Sequence, residues 1–297
     1  MKKISRFEFR GTGVAIVTPF LNGKIDFVGL ERVIQHVIEG GVDYLVALGS
    51  TGEAAVLSWE EQKEVLRFCV KVVSNRKPLV AGNFAGNNTN DVVEKIKSFH
   101  FEGIDAILSA SPAYVKPTQE GIYKHYEKIA DNCPVPVILY NVPGRTQSNI
   151  EWNTTVRIAK DFENIIGIKE ASGNISQITK IIKYRPHDFL VISGDDETAL
   201  ATVAIGGDGV ISVIANALPE IFSRMISSAL NHDYEAAQNL NLWCFDLHHW
   251  LYREGNPTGI KAALEALNLC SREVRLPLTA MTEASFAELK RIIHQLK

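Results

Sequence analysis

Eight short apolar runs recur along the chain, separated by stretches in which apolar residues return every three or four positions. The runs read VAIVTP from Val14, YLVALG from Tyr44, PLVAGN from Pro78, DAILSA from Asp105, VPVILYN from Val135, IIGIKE from Ile165, FLVISG from Phe189 and DGVISV from Asp208. Each is nearly continuously apolar rather than alternating, which predicts strands covered on both faces, as in a parallel sheet. The intervening segments 26–40, 59–74, 91–99 and 118–131 carry the spacing of amphipathic helices. Strand followed by helix, eight times over, predicts an α/β chain folded as a (β/α)8 TIM barrel. An open doubly wound sheet is the competing arrangement. It usually has fewer strands and a glycine-rich phosphate loop after the first, where this chain has VAIVTPF.

By about Asn216 the eighth strand is complete, and helical patterns fill the rest: Pro219–Leu230, Tyr234–Tyr252, Pro257–Leu267 and Glu283–Leu296. The first can close the barrel. The others need a further surface for their apolar faces, so residues 231–297 are expected to form a C-terminal helical extension packed on a catalytic barrel of residues 1–230. No low-complexity linker separates the two, which makes the extension an appendage rather than an independent domain.

Composition narrows the partners. The chain has 297 residues, 46% of them apolar, and its net charge of −3 is scattered, with no basic stripe for nucleic acid. Cys69, Cys133, Cys244 and Cys270 lie far apart, a pattern of free buried thiols in a reducing cytoplasm. MKKISRFEFR has no apolar core after its lysines, so no signal peptide is read there. No apolar run approaches the roughly 18 residues of a membrane span. A soluble, cytoplasmic protein is expected, without membrane or nucleic-acid partners.

In such a barrel, reactive residues stand at the C-terminal strand ends. Lys169 closes the apolar run Ile165–Ile168. A lysine in apolar surroundings is rarely without purpose, because desolvation disfavours the ammonium and frees the amine to attack carbonyls. An ion pair with Glu170 is the bland explanation, but neighbouring strand residues point to opposite faces. A Schiff-base lysine needs proton shuttles, and Tyr140, Tyr114 and the hydroxyls of Ser50 and Thr51 all fall at strand ends. Each tyrosine alone is more often a packing residue.

The Gly49–Glu53 turn can aim backbone amides at a carboxylate, or it can simply cap the following helix through Ser50 or Thr51. Arg145 is a plausible fork for a second carboxylate, though an arginine in that setting is more often at the surface. Gly11-Thr12-Gly13 precedes a strand and is no dinucleotide fingerprint. Asp195-Asp196 lacks further ligands at metal spacing, and His248-His249 in a helical run point different ways, so no metal site is expected. The sequons at Asn87, Asn153 and Asn174 carry no meaning in a protein that is not secreted.

GVAIVTPF, LGSTGEAAVLSWEE, YNVPGRT, GIKEASGN, SGDDETAL, GVISVIAN, EGNPTGIKAALEAL and RLPL together resemble the successive motifs of the dihydrodipicolinate synthase family, pyruvate-dependent class I aldolases. The resemblance covers nearly the whole chain. It implies that Lys169 forms the Schiff base with pyruvate and that Tyr140 donates and accepts protons with Thr51 as the middle of the relay. It implies that Arg145 binds the carboxylate of L-aspartate-4-semialdehyde, and that Ser50, Thr51 and Ile211 hold pyruvate. Tyr114 would reach into a neighbouring subunit's site, which implies a homo-oligomer, a tetramer built as a dimer of dimers. No cofactor is implied.

The Ser-Thr pair at Ser50-Thr51 is shared with the N-acetylneuraminate lyase branch, where Thr-Thr is usual for synthases; Arg145 favours the synthase. The alternatives are a lyase for N-acetylneuraminate or a 2-keto-3-deoxy sugar acid, and a catalytically inactive 2-oxo acid sensor. Lysine-sensitive members carry an aromatic residue where this chain has Ala113, and histidines or acids in the helix that here holds Trp59 and Gln62. Feedback by lysine is therefore not among the expectations.

Overall fold

The computed structural model describes residues 5–296. Eight parallel strands close into a barrel: β1 (Gly11–Ala15), β2 (Tyr44–Ala47), β3 (Leu79–Ala81), β4 (Ala106–Ala110), β5 (Val137–Asn141), β6 (Ile165–Glu170), β7 (Leu190–Ser193) and β8 (Gly209–Ser212). Each pairs with its neighbours in sequence, and β1 pairs with β8 to shut the ring. Around it stand α1 (Phe27–Glu39), α2 (Trp59–Val73), α3 (Thr89–Ser98), α4 (Gln119–Asn132), α5 (Trp152–Asp161), α6 (Ile175–Tyr184), α7 (Ala199–Ala204) and α8 (Pro219–Leu230). The predicted (β/α)8 barrel is the observed fold.

Two buried clusters explain why the strand runs are apolar on both faces. Tyr44, Val46, Val80, Ala106, Leu108, Ile138, Ile192 and Ile211 fill the barrel interior. Val14, Leu45, Ile107, Leu139, Ile168 and Val191 face outward onto the helices in a second, larger cluster. Helix ends are fixed locally. Ser58 and Glu61 form a reciprocal capping box at the start of α2, and Asp26, Thr118 and Asn174 cap α1, α4 and α6.

The first strand departs from expectation. It begins at Gly11, three residues before the apolar run, and ends at Ala15. Glycine is a poor strand former, but here side chains are excluded by packing. A Cβ on Gly13 would lie 2.3 Å from the Tyr44 ring, which crosses the barrel beneath it. A two-stranded hairpin, Phe20–Leu21 with Lys24–Ile25, also follows β1 and was not legible in the pattern.

The last three helices, α9 (Tyr234–Tyr252), α10 (Thr258–Ala266) and α11 (Glu283–Gln295), match the expected helical extension. α9 packs on α7 and α8, α10 lies against the turn that follows β8, and α11 covers both α9 and α10. The segment that runs from Gly255 to Arg275 is thereby brought to the C-terminal strand ends.

Candidate active site

Lys169 owes its direction to an irregularity in β6. Val137 of β5 pairs with Ile165 on the outer face, but the next pair is Ile138 with Gly167, one residue out of step. The bulge leaves Ile166 and Gly167 both on the inner side and re-phases the rest of the strand. Ile168 then faces the helices with Leu139 and Val191, while Lys169 turns inward beside Tyr140 and Ile192. Gly167 is required there: a Cβ would stand 2.8 Å from both Cβ and O of Leu190. Lys169 is 4% exposed, and its Nζ lies 4.5 Å from the centroid of the Tyr140 ring. It forms no ion pair among the described residues. Gly194, at the end of β7, leaves the room its stem occupies, for a Cβ there would approach Lys169 Cγ and Cε to 2.9 Å.

Glu170 points the other way, as adjacent strand residues must. Its carboxylate is buried and accepts from Asn141 Nδ2 at 2.9 Å, Gln177 Nε2 at 2.8 Å and the Ser172 amide at 2.8 Å. Asn141 Oδ1 in turn accepts from the Ile150 amide at 2.9 Å. This satisfied network locks the ends of β5 and β6 together behind the Tyr140–Lys169 pair, at the position where a loose strand end would misdirect both side chains.

The turn after β2 carries Ser50 and Thr51. Its internal bonds run from the Gly52 amide to Gly49 O and from the Glu53 amide to Ser50 O. The amides of Ser50 and Thr51 have no acceptor among the described residues and remain available to an anion. Capping by Ser50 or Thr51 is not observed, because Ser58 caps α2. Thr51 is buried, and its Oγ1 accepts from Asn256 Nδ2 at 3.0 Å. Glu53, in the left-handed region at φ 55°, is fully buried against Lys261 of α10, and its Oε2 accepts from the Arg275 amide at 3.0 Å. Burial pushes the Lys261 ammonium below its ordinary value, although the Glu53 carboxylate beside it opposes that shift.

Arg145 lies in a one-turn helix, Pro143–Thr146, directly after β5, and its Nη2 donates to Asn256 O at 3.3 Å. Ile211 of β8 lies in the interior cluster that also holds Tyr140. Tyr114 does not join them within this chain. It sits at φ 66° after β4 and is 89% exposed. Lys169, Tyr140, Thr51, Ser50, Arg145 and Ile211 thus stand on the ends of β2, β5, β6 and β8 or in the loops that follow, while Tyr114 projects away.

The weaker sequence signals resolve into structure. Asp196 is buried and accepts from the amides of Val213 and Ile214, both at 2.9 Å, so it braces the turn after β8. Asp195 accepts from Thr198 Oγ1. His248 is buried and His249 exposed, so the two diverge as the helical register demands. Gln62 spends its side chain on Ala54 O, Leu57 O and Asn83, and Trp59 packs on Phe84 and Phe99. Among the described residues no group of three acidic, histidine or cysteine side chains is placed to hold a metal ion. A groove of about 1400 Å³ lies at the opposite end of the barrel, around Asp105, Pro136, Asn164 and Ile166, far from the lysine.

Sequence reasoning missed Asn256 and Gly194. Asn256 lies within the EGNPTGIK motif, but nothing local indicates that it reaches a turn 205 residues away. Gly194 stands in the SGDD motif beside the strand end, and only the packing of Lys169 shows why it has no side chain.

A family model described as the dihydrodipicolinate synthetase family matches residues 8–296. The chain is 48% identical over 276 residues to the 4-hydroxy-tetrahydrodipicolinate synthase of Flavobacterium psychrophilum, covering 93% of this chain and 94% of that protein. It is 46% identical over 285 residues to the enzyme of that name from Azobacteroides pseudotrichonymphae, covering 96% of each. Among solved structures, the dihydrodipicolinate synthase of Thermotoga maritima superposes with a TM-score of 0.95 at 34% identity, over 97% of this chain and 99% of that one. The chloride-inhibited dihydrodipicolinate synthase of Acinetobacter baumannii, complexed with pyruvate, gives 0.93 at 40% identity, over 97% and 98%.

Proposed function

The chain belongs to the dihydrodipicolinate synthetase family, and from that premise we propose that it condenses pyruvate with L-aspartate-4-semialdehyde to give 4-hydroxy-tetrahydrodipicolinate. This is the lyase activity of diaminopimelate and lysine biosynthesis carried by the names of its relatives. The observation that carries the chemistry is an enclosed Lys169 with no counter-ion among the described residues, its amine over the face of Tyr140.

Lys169 Nζ attacks C2 of pyruvate, and the carbinolamine loses water to form a protonated imine. That imine withdraws electrons, so C3 gives up a proton and becomes the enamine carbon. The enamine attacks the aldehyde carbon, and the new alkoxide takes a proton. The amino nitrogen of the semialdehyde then replaces lysine at C2, which closes the ring and frees Nζ. Tyr140 moves the protons, with Thr51 behind it. Arg145 holds the semialdehyde carboxylate by a charge-assisted fork, and the free amides of Ser50 and Thr51, with Ile211 beneath, receive the pyruvate carboxylate.

Tyr114 completes the relay from a neighbouring subunit, which accounts for an almost wholly exposed tyrosine in the left-handed region. A homotetramer assembled as a dimer of dimers supplies that neighbour. Residues 231–297 act as an extension of the barrel of residues 1–230. No helix among the described residues is long and apolar enough to cross a membrane, and cytoplasmic action suits its four buried free thiols.

Turnover by the purified protein tests this reading. Pyruvate is expected to disappear only with aspartate semialdehyde present, and N-acetylneuraminate and 2-keto-3-deoxy sugar acids are expected to remain uncleaved. Arg145→Ala should raise the KM for the semialdehyde by about 10- to 100-fold and leave the KM for pyruvate within about twofold. Cleavage of a sugar acid, or an equal effect on both substrates, contradicts the assignment.

A further inference from the structure

Tyr252 closes α9 with its hydroxyl turned toward the barrel mouth. The side chain is 39% exposed, yet its hydroxyl end is withdrawn from water among charged and polar groups. The Asp195 and Asp196 carboxylates after β7, the Tyr140 phenol of β5 and the Arg145 guanidinium that follows β5 all act on it. A tyrosine hydroxyl in such a setting ordinarily has a hydrogen-bond partner; this one has none among the described residues. Its backbone is held firmly. Leu251 is buried, and Gly259 of α10 lies so close that a Cβ there would come to 2.0 Å from Leu251 O. The Gly255 amide donates to Tyr252 O at 3.0 Å, and Arg145 Nη2 reaches the same loop at Asn256 O. The end of α9 therefore stands beside Arg145.

Burial first, then the Asp196 and Asp195 carboxylates, push the Tyr252 phenol above its ordinary value of 10, while Arg145 opposes them. The hydroxyl thus stays protonated and neutral, with an oxygen free to accept. L-Aspartate-4-semialdehyde bears its amino group and its carboxylate on one carbon. A group beside the Arg145 fork is therefore beside the ammonium as well, and the two aspartates make that side of the mouth favourable to a cation. We propose that Tyr252 is a specificity-determining residue of the second-substrate site, its hydroxyl oxygen accepting a hydrogen bond from the α-ammonium while Arg145 holds the α-carboxylate. It binds and orients, and takes no part in the proton transfers at Lys169. This rests on the synthase reading above.

Tyr252→Phe is the decisive variant, since it keeps the ring and removes only the oxygen. Its KM for L-aspartate-4-semialdehyde should rise by about 10-fold or more, the scale of one hydrogen bond to a charged group. Its kcat and its KM for pyruvate should stay within about twofold of wild type. Succinic semialdehyde keeps the aldehyde and the carboxylate and lacks only the amino group, so it serves as the control ligand. Its inhibition constant, measured against L-aspartate-4-semialdehyde, should differ by less than about twofold between wild type and Tyr252→Phe, because it brings no ammonium to the hydroxyl. An unchanged KM in Tyr252→Phe, or an equal loss for both semialdehydes, overturns the proposal and leaves the synthase reading intact. Absence of wild-type turnover would instead sink the synthase reading, and this assignment with it.

Discussion

Tyr140 and Lys169 are direct register partners across β5 and β6, and the lysine amine stands 4.5 Å from the centre of the tyrosine ring. The relationship depends on the bulge at Ile165–Gly167, without which the even alternation of β6 would send Lys169 outward among the helices. A strand irregularity thus puts nucleophile and proton carrier on one wall of the barrel mouth. Behind them, Glu170 and Asn141 face the helices and tie the same two strands with 2.9 Å hydrogen bonding. The pair is accordingly built into the sheet rather than hung on loops, which favours a fixed reaction geometry.

Gly194 should prove a tight requirement. An alanine there brings Cβ to 2.9 Å from Lys169 Cγ and Cε and 2.6 Å from Ala171 Cβ, so the lysine stem must move. Displacement of a nucleophile by about 1 Å costs on the order of 100-fold in rate. Gly194→Ala is expected to slow turnover on that scale while its far-UV circular dichroism matches wild type. Unchanged turnover would show that the stem has slack.

The buried pair Lys261–Glu53 predicts an asymmetric stability effect. Lys261→Met strands a carboxylate among buried groups, and loss of one partner of such a pair costs about 3–5 kcal/mol. Denaturant titration should show that loss, and Glu53→Leu added to it should restore a large part. If the double variant is less stable than Lys261→Met, the charge is not the source of the penalty.

His125 gives the stability a pH dependence. Its Nδ1 meets Thr89 Oγ1 at 2.8 Å, and its enclosed Nε2 has no hydrogen-bond partner among the described residues. Burial pushes the ring down to about 4 from the ordinary value of 6.5. The folded chain therefore holds His125 neutral where the unfolded chain takes up a proton. Stability from this group is whole above pH 6.5 and is lost as pH falls toward 4, by about 2–3 kcal/mol at pH 4.5. His125→Gln should flatten the slope of unfolding free energy against pH in that window. An identical slope in the variant would place the effect on other groups.

The barrel was legible because each strand run is apolar on both faces and each helix shows a single apolar stripe. Lys169 stood out for the same reason, as a charge where the pattern permits none. Tyr140 and Arg145 were indicated by strand-end position and by their motif. The start of β1 was not legible, because Gly11 and Gly13 are poor strand formers, kept there by the Asp43 side chain against Gly11 and the Tyr44 ring against Gly13. Nor was the role of the C-terminal segment, since the Asn256–Thr51 bond spans 205 residues and leaves no periodic trace. Capping by Ser50 or Thr51 was one reading of that turn; the turn instead keeps their amides free, and Ser58, seven residues after Thr51, does the capping.

Reduction with borohydride in the presence of pyruvate tests the central claim most directly. The account predicts a single covalent adduct on the peptide containing Lys169, heavier by the reduced pyruvyl group, formed only when pyruvate is present and absent from Lys169→Ala. No adduct on the wild-type protein, or an adduct on another lysine, would contradict it.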